Sequence, residues 1–288
     1  MTKDQLLTRL SSTAAALTRR RALLAGAAAC GAAGTAGLLS LGSGGESAPP
    51  ALPAAGAQTH RAPMPSAYRL QPMTGYGSPR TEPSQPLVRR EPFLRLSGRG
   101  RTMVLTFDDG PDPRYTPDIL YTLAQYDVRA MFFVCGSMAV SHQDLVALIA
   151  DEGHIVGNHT WSHPLLTRLS RSRIRWEMER TSDVIEEACG ERPLWFRAPY
   201  GAWNRAAFQI GAELGMEPLG WTVDTLDWTT PGTRTIVGRV EHNAAPGVVV
   251  LSHDAGGDRT QSVRALRAYL PQLLDSGYHI TVPRRRRT

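Results

Sequence analysis

The residues Met103-Val104-Leu105-Thr106-Phe107-Asp108-Asp109-Gly110-Pro111 decide how this chain is read. An apolar, β-branched run that ends in two adjacent carboxylates and is cut off by Gly-Pro is a buried strand delivering charge to its own C-terminal mouth. Burying one carboxylate is costly. Two this close cannot both stay ionised in a low-dielectric site unless a cation, a metal ion or an Arg, offsets them. On local composition alone an Asp-Asp-Gly-Pro surface turn is the simpler reading, so burial requires metal ligands at suitable spacing elsewhere. Neighbouring residues of extended chain point to opposite sides. Asp108 and Asp109 can therefore divide the work, one holding an ion and the other facing its water as a general base.

Working outward, short β-rich runs alternate with helical patterns from Arg101 onward. Strands are expected at Met103–Phe107, Ala130–Val134, Ile155–Asn158, Leu194–Arg197, Pro218–Val223, Val248–Ser252 and His279–Val282. Helices are expected at Thr116–Gln125, Ser141–Glu152, Ser170–Cys189, Asn204–Leu214, Thr233–Asn243 and Gln261–Ser276. Such alternation implies parallel β-α units with right-handed crossovers. An open doubly wound sheet would carry a Gly-rich turn after its first strand, whereas Asp-Asp-Gly-Pro repels phosphate. A closed barrel is preferred, with the strand ends and their loops gathered at one face.

Several expected strand ends carry polar groups. Gly157-Asn158-His159-Thr160-Trp161-Ser162-His163-Pro164 holds two histidines four apart; on a helical turn they project from one side and can bind one ion. With a carboxylate from Asp108 or Asp109 they leave coordination positions open, which is a catalytic arrangement. A bound divalent ion would lower the pKa of its water and polarise a carbonyl. Phe196-Arg197-Ala198-Pro199-Tyr200-Gly201 ends another strand in a charge, and Arg197 can pair with a buried carboxylate. Trp221-Thr222-Val223-Asp224-Thr225-Leu226-Asp227-Trp228 brings two acids and two aromatics, rings that stack on a sugar or pack the barrel rim. Val248 to Asp254 delivers His253, which an Asp can keep protonated as a general acid. His154, at a helix end, is expected to make a structural hydrogen bond; His60, His142, His242 and His279 are given no role.

These five stretches, in this order from Thr106 to His253, resemble the motifs of the polysaccharide deacetylases, the carbohydrate esterase family 4 or NodB-homology group. The resemblance implies an α/β fold, a distorted (β/α) barrel of about seven parallel strands, and removal of acetyl groups from N-acetylated sugars. It implies Asp108 as the base, with Asp109, His159 and His163 holding a divalent ion, Zn²⁺ ahead of Co²⁺. Arg197 would orient Asp108. His253 would be the general acid, tuned by Asp227 or Asp224, with Asp227 favoured. Pro199, Tyr200, Trp228 and Leu251 would contact substrate: the Tyr200 N–H as oxyanion donor, Leu251 and Trp228 around the acetyl methyl. No motif residue is missing. Peptidoglycan is the favoured substrate, then chitin or its oligomers; O-deacetylation of xylan is the alternative within the family. A non-haem iron oxygenase would share two His and one carboxylate, but it explains neither the paired Asp108 and Asp109 nor His253. A non-catalytic wall-binding module is the remaining class.

Composition sets the rest. The 288 residues carry a formal charge of +6, enough chain for one large domain or two ordinary ones. Residues 1–57 hold five basic and two acidic residues, 58–100 seven and two, and Arg284–Arg287 four more basics, leaving 16 basic against 22 acidic in 101–283. The expected core is acidic, which argues against a nucleic-acid groove. Residues 1–57 read as a twin-arginine-type signal segment: Arg19-Arg20-Arg21, the apolar run Ala22–Leu41, then Ala55-Gly56-Ala57. Secretion or cell-wall association follows, with a membrane anchor, if the leader is uncut, as the alternative. Residues 58–100, dense in Pro, Gly and Ser, are expected to be a flexible linker. The barrel should occupy 101–283, and 284–288 is a basic tail expected to be a solvated, disordered end, with adhesion to anionic wall polymer or lipid as the functional alternative. A monomer is favoured. Cys30, Cys135 and Cys189 form no Cys-x-x-Cys pair, so at most Cys135 and Cys189 bridge.

Overall fold

The decisive stretch folds as strand β1, Thr102–Asp108, buried from Met103 to its end. Its side chains alternate between two apolar clusters: Met103, Leu105 and Phe107 face the helices, while Val104 packs with Met131, Phe133 and Val249 inside the curl. Burial on both faces is what a central parallel strand requires. The computed structural model describes residues 86–96 and 100–283. The signal segment, most of the linker with Cys30 and His60, and the basic tail lie outside the described residues.

After β1 follow α1 (Thr116–Gln125), β2 (Met131–Val134), α2 (Gly136–Ser141), α3 (Gln143–Asp151), β3 (Ile155–Asn158), α4 (Arg171–Cys189) and β4 (Trp195–Phe196). Then come α5 (Arg205–Glu213), β5 (Glu217–Pro218), β6 (Val223–Asp224), α6 (Thr233–His242), β7 (Val249–His253), α7 (Thr260–Asp275) and β8 (His279–Ile280). Pro117 sits in the first turn of α1, where its missing N–H costs nothing. The Ser170 hydroxyl caps α4 by accepting the Arg173 N–H, and Gly190 ends it at φ 77°.

The strands run in the order β5-β4-β3-β2-β1-β7-β6, every pair parallel, with β8 on the base of β1. The expected distorted barrel is thus a curled half-barrel with a seven-strand parallel sheet. The one strand expected at Pro218–Val223 is instead two, because Gly220 gives its N–H to the carbonyl of Phe93. Its halves, β5 and β6, sit at opposite edges of the sheet, and residues 219–222 join them, so a chain connection spans the seam. Phe93 also donates to the Pro218 carbonyl and packs edge-on against Trp195. Leu96 donates to the Gly247 carbonyl. The expected linker over 58–100 therefore stops short: residues 86–96 are held on the barrel by two apolar anchors that an average over the segment dilutes. Helix α2 was not expected either, since Gly136-Ser137-Met138 carries no strong helical pattern.

Register brings the strand ends level. Asp108 pairs with Phe133 of β2 and His253 of β7, and Asn158 of β3 pairs with Phe196 of β4. Single hydrogen bonds carry this alignment past the strands: Asp109 N–H to Phe133 O, His159 N–H to Val134 O, Arg197 N–H to Asn158 O. Both described cysteines are free thiols, so the possible bridge is not made. Among the described residues no helix is long and apolar enough to cross a membrane.

Candidate active site

Arg197 lies inside the curl with no exposed surface. Its Nη1 donates to Asp108 Oδ1 at 2.7 Å and to the Thr106 hydroxyl at 2.8 Å. Nε and Nη2 donate to the carbonyls of Leu219 and Gly220, and the guanidinium lies over Phe133, 4.2 Å from its ring centroid. A planar donor fork suits this role better than a lysine ammonium. Burial pushes the Asp108 carboxyl up, against the pull of the Arg197 charge and hydrogen bond. It pushes Arg197 down, against the Asp108 charge.

Asp109 takes φ 76°, which turns it out of the strand toward the mouth. Its Oδ1 lies 3.5 Å from His159 Nε2 and 3.4 Å from His163 Nε2, and the three ligand atoms fall within 4.8 Å of one another. The two histidines are not on a helical turn as expected. They occupy a loop after β3 in which Thr160 (φ 67°) and His163 (φ 55°) are left-handed, and this folding brings their rings to 5.0 Å. His159 Nδ1 lies 2.9 Å from the Arg197 carbonyl, which can only accept, so Nδ1 carries the proton and Nε2 presents a lone pair. Burial holds His159 down to about 3, despite the Asp109 charge. Asp109 Oδ1 is buried and has no hydrogen-bond partner. Acceptor atoms that converge without a proton between them fit a divalent cation, and two imidazoles with one carboxylate are a donor set for zinc or its neighbours.

On β7, level with Asp108, His253 Nδ1 donates to Asp227 Oδ1 at 2.7 Å. Asp227 Oδ2 accepts the His253 N–H at 2.9 Å and the Ser262 hydroxyl at 2.5 Å. Burial works against a charged His253, yet the Asp227 hydrogen bond and charge, then Asp108 and Asp109, prevail and raise it to about 9. Asp227 is pulled down by the same partners against its burial. Asp224 Oδ1, of the other acid considered, accepts the Leu226 N–H, and Asp227 is the acid bonded to the imidazole.

Asp108, Asp109, His159, His163, Asp224 and His253 line one cavity of about 370 Å³, with Tyr200, Trp228 and Leu251 also on its wall and Arg197 and Asp227 behind it. Tyr200 is exposed, at φ 60°, its ring edge-on to His163 at 4.6 Å; Trp228 is exposed and Leu251 buried. Pro199 is buried behind Tyr200. Outside the wall, His154 Nδ1 accepts the Ala130 N–H at 3.1 Å, the structural bond expected of it.

Several participants were not foreseen. Thr106 and Ser262 brace the two charged pairs, and Arg259 lines the cavity beside Trp221, one of the two expected aromatics. Asp254 is fully buried beside Gly110, where any Cβ would meet its carboxylate at 2.2 Å. Burial pushes it up to about 7 in spite of a 2.5 Å hydrogen bond from Thr116, and the Asp109 and Asp108 charges add to the rise.

Residues 96–219 match the polysaccharide deacetylase family. The chain is 38% identical over 204 residues to a chitooligosaccharide deacetylase of Rhizobium leguminosarum bv. trifolii, covering 67% of this chain and 95% of that protein. It is also 38% identical over 183 residues to a peptidoglycan-N-acetylglucosamine deacetylase of Bacillus cereus, covering 63% and 66% respectively. A family 4 carbohydrate esterase from Streptomyces lividans, solved in complex with acetate, is similar in structure at TM-score 0.59 and 32% identity, covering 63% of this chain and 92% of that one.

Proposed function

This chain belongs to the polysaccharide deacetylases, carbohydrate esterase family 4, a hydrolase family, and from that premise we propose that it removes N-acetyl groups from N-acetylglucosamine polymer of the cell wall, peptidoglycan ahead of chitooligosaccharide. The observation that carries the reading is two charged couples, Asp108–Arg197 and His253–Asp227, whose Asp108 and His253 line one cavity with Asp109, His159 and His163. The choice of peptidoglycan rests on the twin-arginine-type leader, which supports a secreted or wall-associated protein. The two relatives at equal identity do not separate the substrates.

Asp109, His159 and His163 would hold the cation, Zn²⁺ in our reading, with Co²⁺ as a substitute. When bound, it supplies polarisation of the acetyl carbonyl and acidification of water. The protein's own groups do the rest. Asp108, fixed by Arg197, accepts the proton of the attacking water. The Tyr200 N–H donates to the oxyanion. His253 gives its proton to the departing amine, and the products are acetate and the free amino sugar. Trp228 and Leu251 enclose the acetyl methyl.

The test is acetate release by the metal-loaded protein from peptidoglycan fragments, chitooligosaccharides and acetylated xylan. Peptidoglycan is expected to be fastest. Faster release from chitooligosaccharide would overturn the choice of polymer and leave the reaction standing, whereas recovery of all three unchanged would leave a binding module.

The acid has its own signature in pH. With its folded value raised from 6.5 to about 9, His253 is protonated below that value and loses its proton as pH rises through it. The alkaline limb of kcat/KM is therefore expected near 9. In Asp227→Asn burial is less opposed, and the limb should move to lower pH. By linkage, the contribution of His253 to stability is present below about 6.5 and is lost as pH rises through about 9, while that of Asp227, whose carboxyl is lowered, is lost at the acid end. An unmoved limb in the variant would remove Asp227 from the role.

A further inference from the structure

We infer that Glu177 is a positioning residue for the cation site: from α4 it clamps the loop between the two histidines and so fixes His163. The inference rests on the reading of Asp109, His159 and His163 as the cation's ligands.

Glu177 is a fully buried carboxylate and is not part of the cavity wall. Its Oε2 accepts the backbone N–H groups of Trp161 at 2.9 Å and Ser162 at 2.8 Å. Its Oε1 accepts the Ser162 hydroxyl at 3.0 Å and Arg173 Nη2 at 3.0 Å. Three of these four bonds come from consecutive residues lying between His159 and His163. Arg173, one turn back on α4, offsets the buried charge.

The two histidines are held unequally. His159 is buried and anchored through its own ring to the Arg197 carbonyl. The first part of the loop is also tied to α2, whose Gly136 and Ser137 donate to the Thr160 and Trp161 carbonyls. His163 is part-exposed, at φ 55°, with its ring resting on Tyr200. A left-handed backbone at a non-glycine residue persists only where its surroundings over-determine it. The hydrogen bonds to Ser162, the residue just before His163, come from Glu177. The carboxylate thus sets the approach of the second imidazole while the first is placed without it. Partners of this outer kind typically carry about 10–100-fold of a site's metal affinity.

The experiment is Co²⁺ titration of the full chain after chelation, followed by the visible absorption of the bound ion and by competition with a chelator. Glu177→Gln, which keeps the side chain's shape, is expected to weaken Co²⁺ binding by roughly 10-fold and to alter the ion's spectrum. His163→Ala should weaken binding further, and adding E177Q to H163A should change affinity less than about two-fold, because the clamp acts through the residue already removed. Co²⁺ affinity of E177Q within about two-fold of the parent, or an equal loss in the H163A background, would overturn the inference while leaving the ligand set intact. Unchanged affinity in H163A would instead overturn the ligand set, and the inference with it. Should E177Q not fold, Ser162→Ala removes one of the clamp's donors without touching α4; weaker binding supports the clamp and unchanged binding overturns it.

Discussion

Asp108→Asn should bind the divalent cation as the parent does and lose roughly 10²- to 10⁴-fold in kcat, the range for removing a general base. The asparagine retains an acceptor for the Arg197 fork but cannot take a proton from water. The ligand atoms of Asp109, His159 and His163 are not altered by the change. Metal content by elemental analysis and kcat by acetate release separate the two functions. An active D108N protein would end the assignment of Asp108 as base; loss of the cation would instead place Asp108 among its ligands, a role its Oδ2, 3.6 Å from His159 Nε2, makes worth measuring.

Arg197→Met should be the most destabilising single change in the site. It removes the partner of Asp108 inside the curl, and breaking a buried pair on one side costs about 3–5 kcal/mol. For a domain of this size that is a fall in Tm of roughly 10 °C. It also leaves the carbonyls of Leu219 and Gly220, which the guanidinium bridges, without these donors. The double change Arg197→Met with Asp108→Asn should recover part of the lost Tm, since the uncompensated charge goes, and none of the activity. A Tm for R197M within a degree or two of the parent would show that the interior tolerates a bare carboxylate, and the pairing argument would fall.

The strands and helices were legible because burial on both faces leaves a strong local mark: β1, β3 and α1 stand within a residue of where apolar runs and turn signals place them. The seam was not. Pro218 to Val223 looks like one strand, and only the distant Phe93 reveals that it crosses from one sheet edge to the other. The site divided in the same way. Asp108, Asp109, Arg197 and His253 sit at strand ends, where a charge closing an apolar run is conspicuous. The histidine pair was found for an incorrect reason, since a spacing of four suggests a helix and the actual loop depends on Thr160 and His163 adopting left-handed backbone. Glu177 did leave a signal that was passed over. It shares a helical face with Ile174, Met178 and Thr181, all buried, and a carboxylate on the apolar stripe of an amphipathic helix asks for internal donors. Asp254 and Ser262 had no such mark, because their neighbours come from elements far away in the chain.

The position of Phe93 has a practical consequence for where an autonomous fragment should begin. The family-wide match opens at residue 96, and the texture of the sequence changes at Arg101, so either invites truncation there. A polypeptide starting at Arg101 would lack the ring that packs on Trp195 and the backbone groups that serve Pro218 and Gly220, the second of which offers its own carbonyl to the buried Arg197 guanidinium. For recombinant work the N-terminal limit thus lies before Arg89, whose guanidinium pairs with Glu217 of β5, and residues 89–96, which read as tether, are part of the enzyme's scaffold.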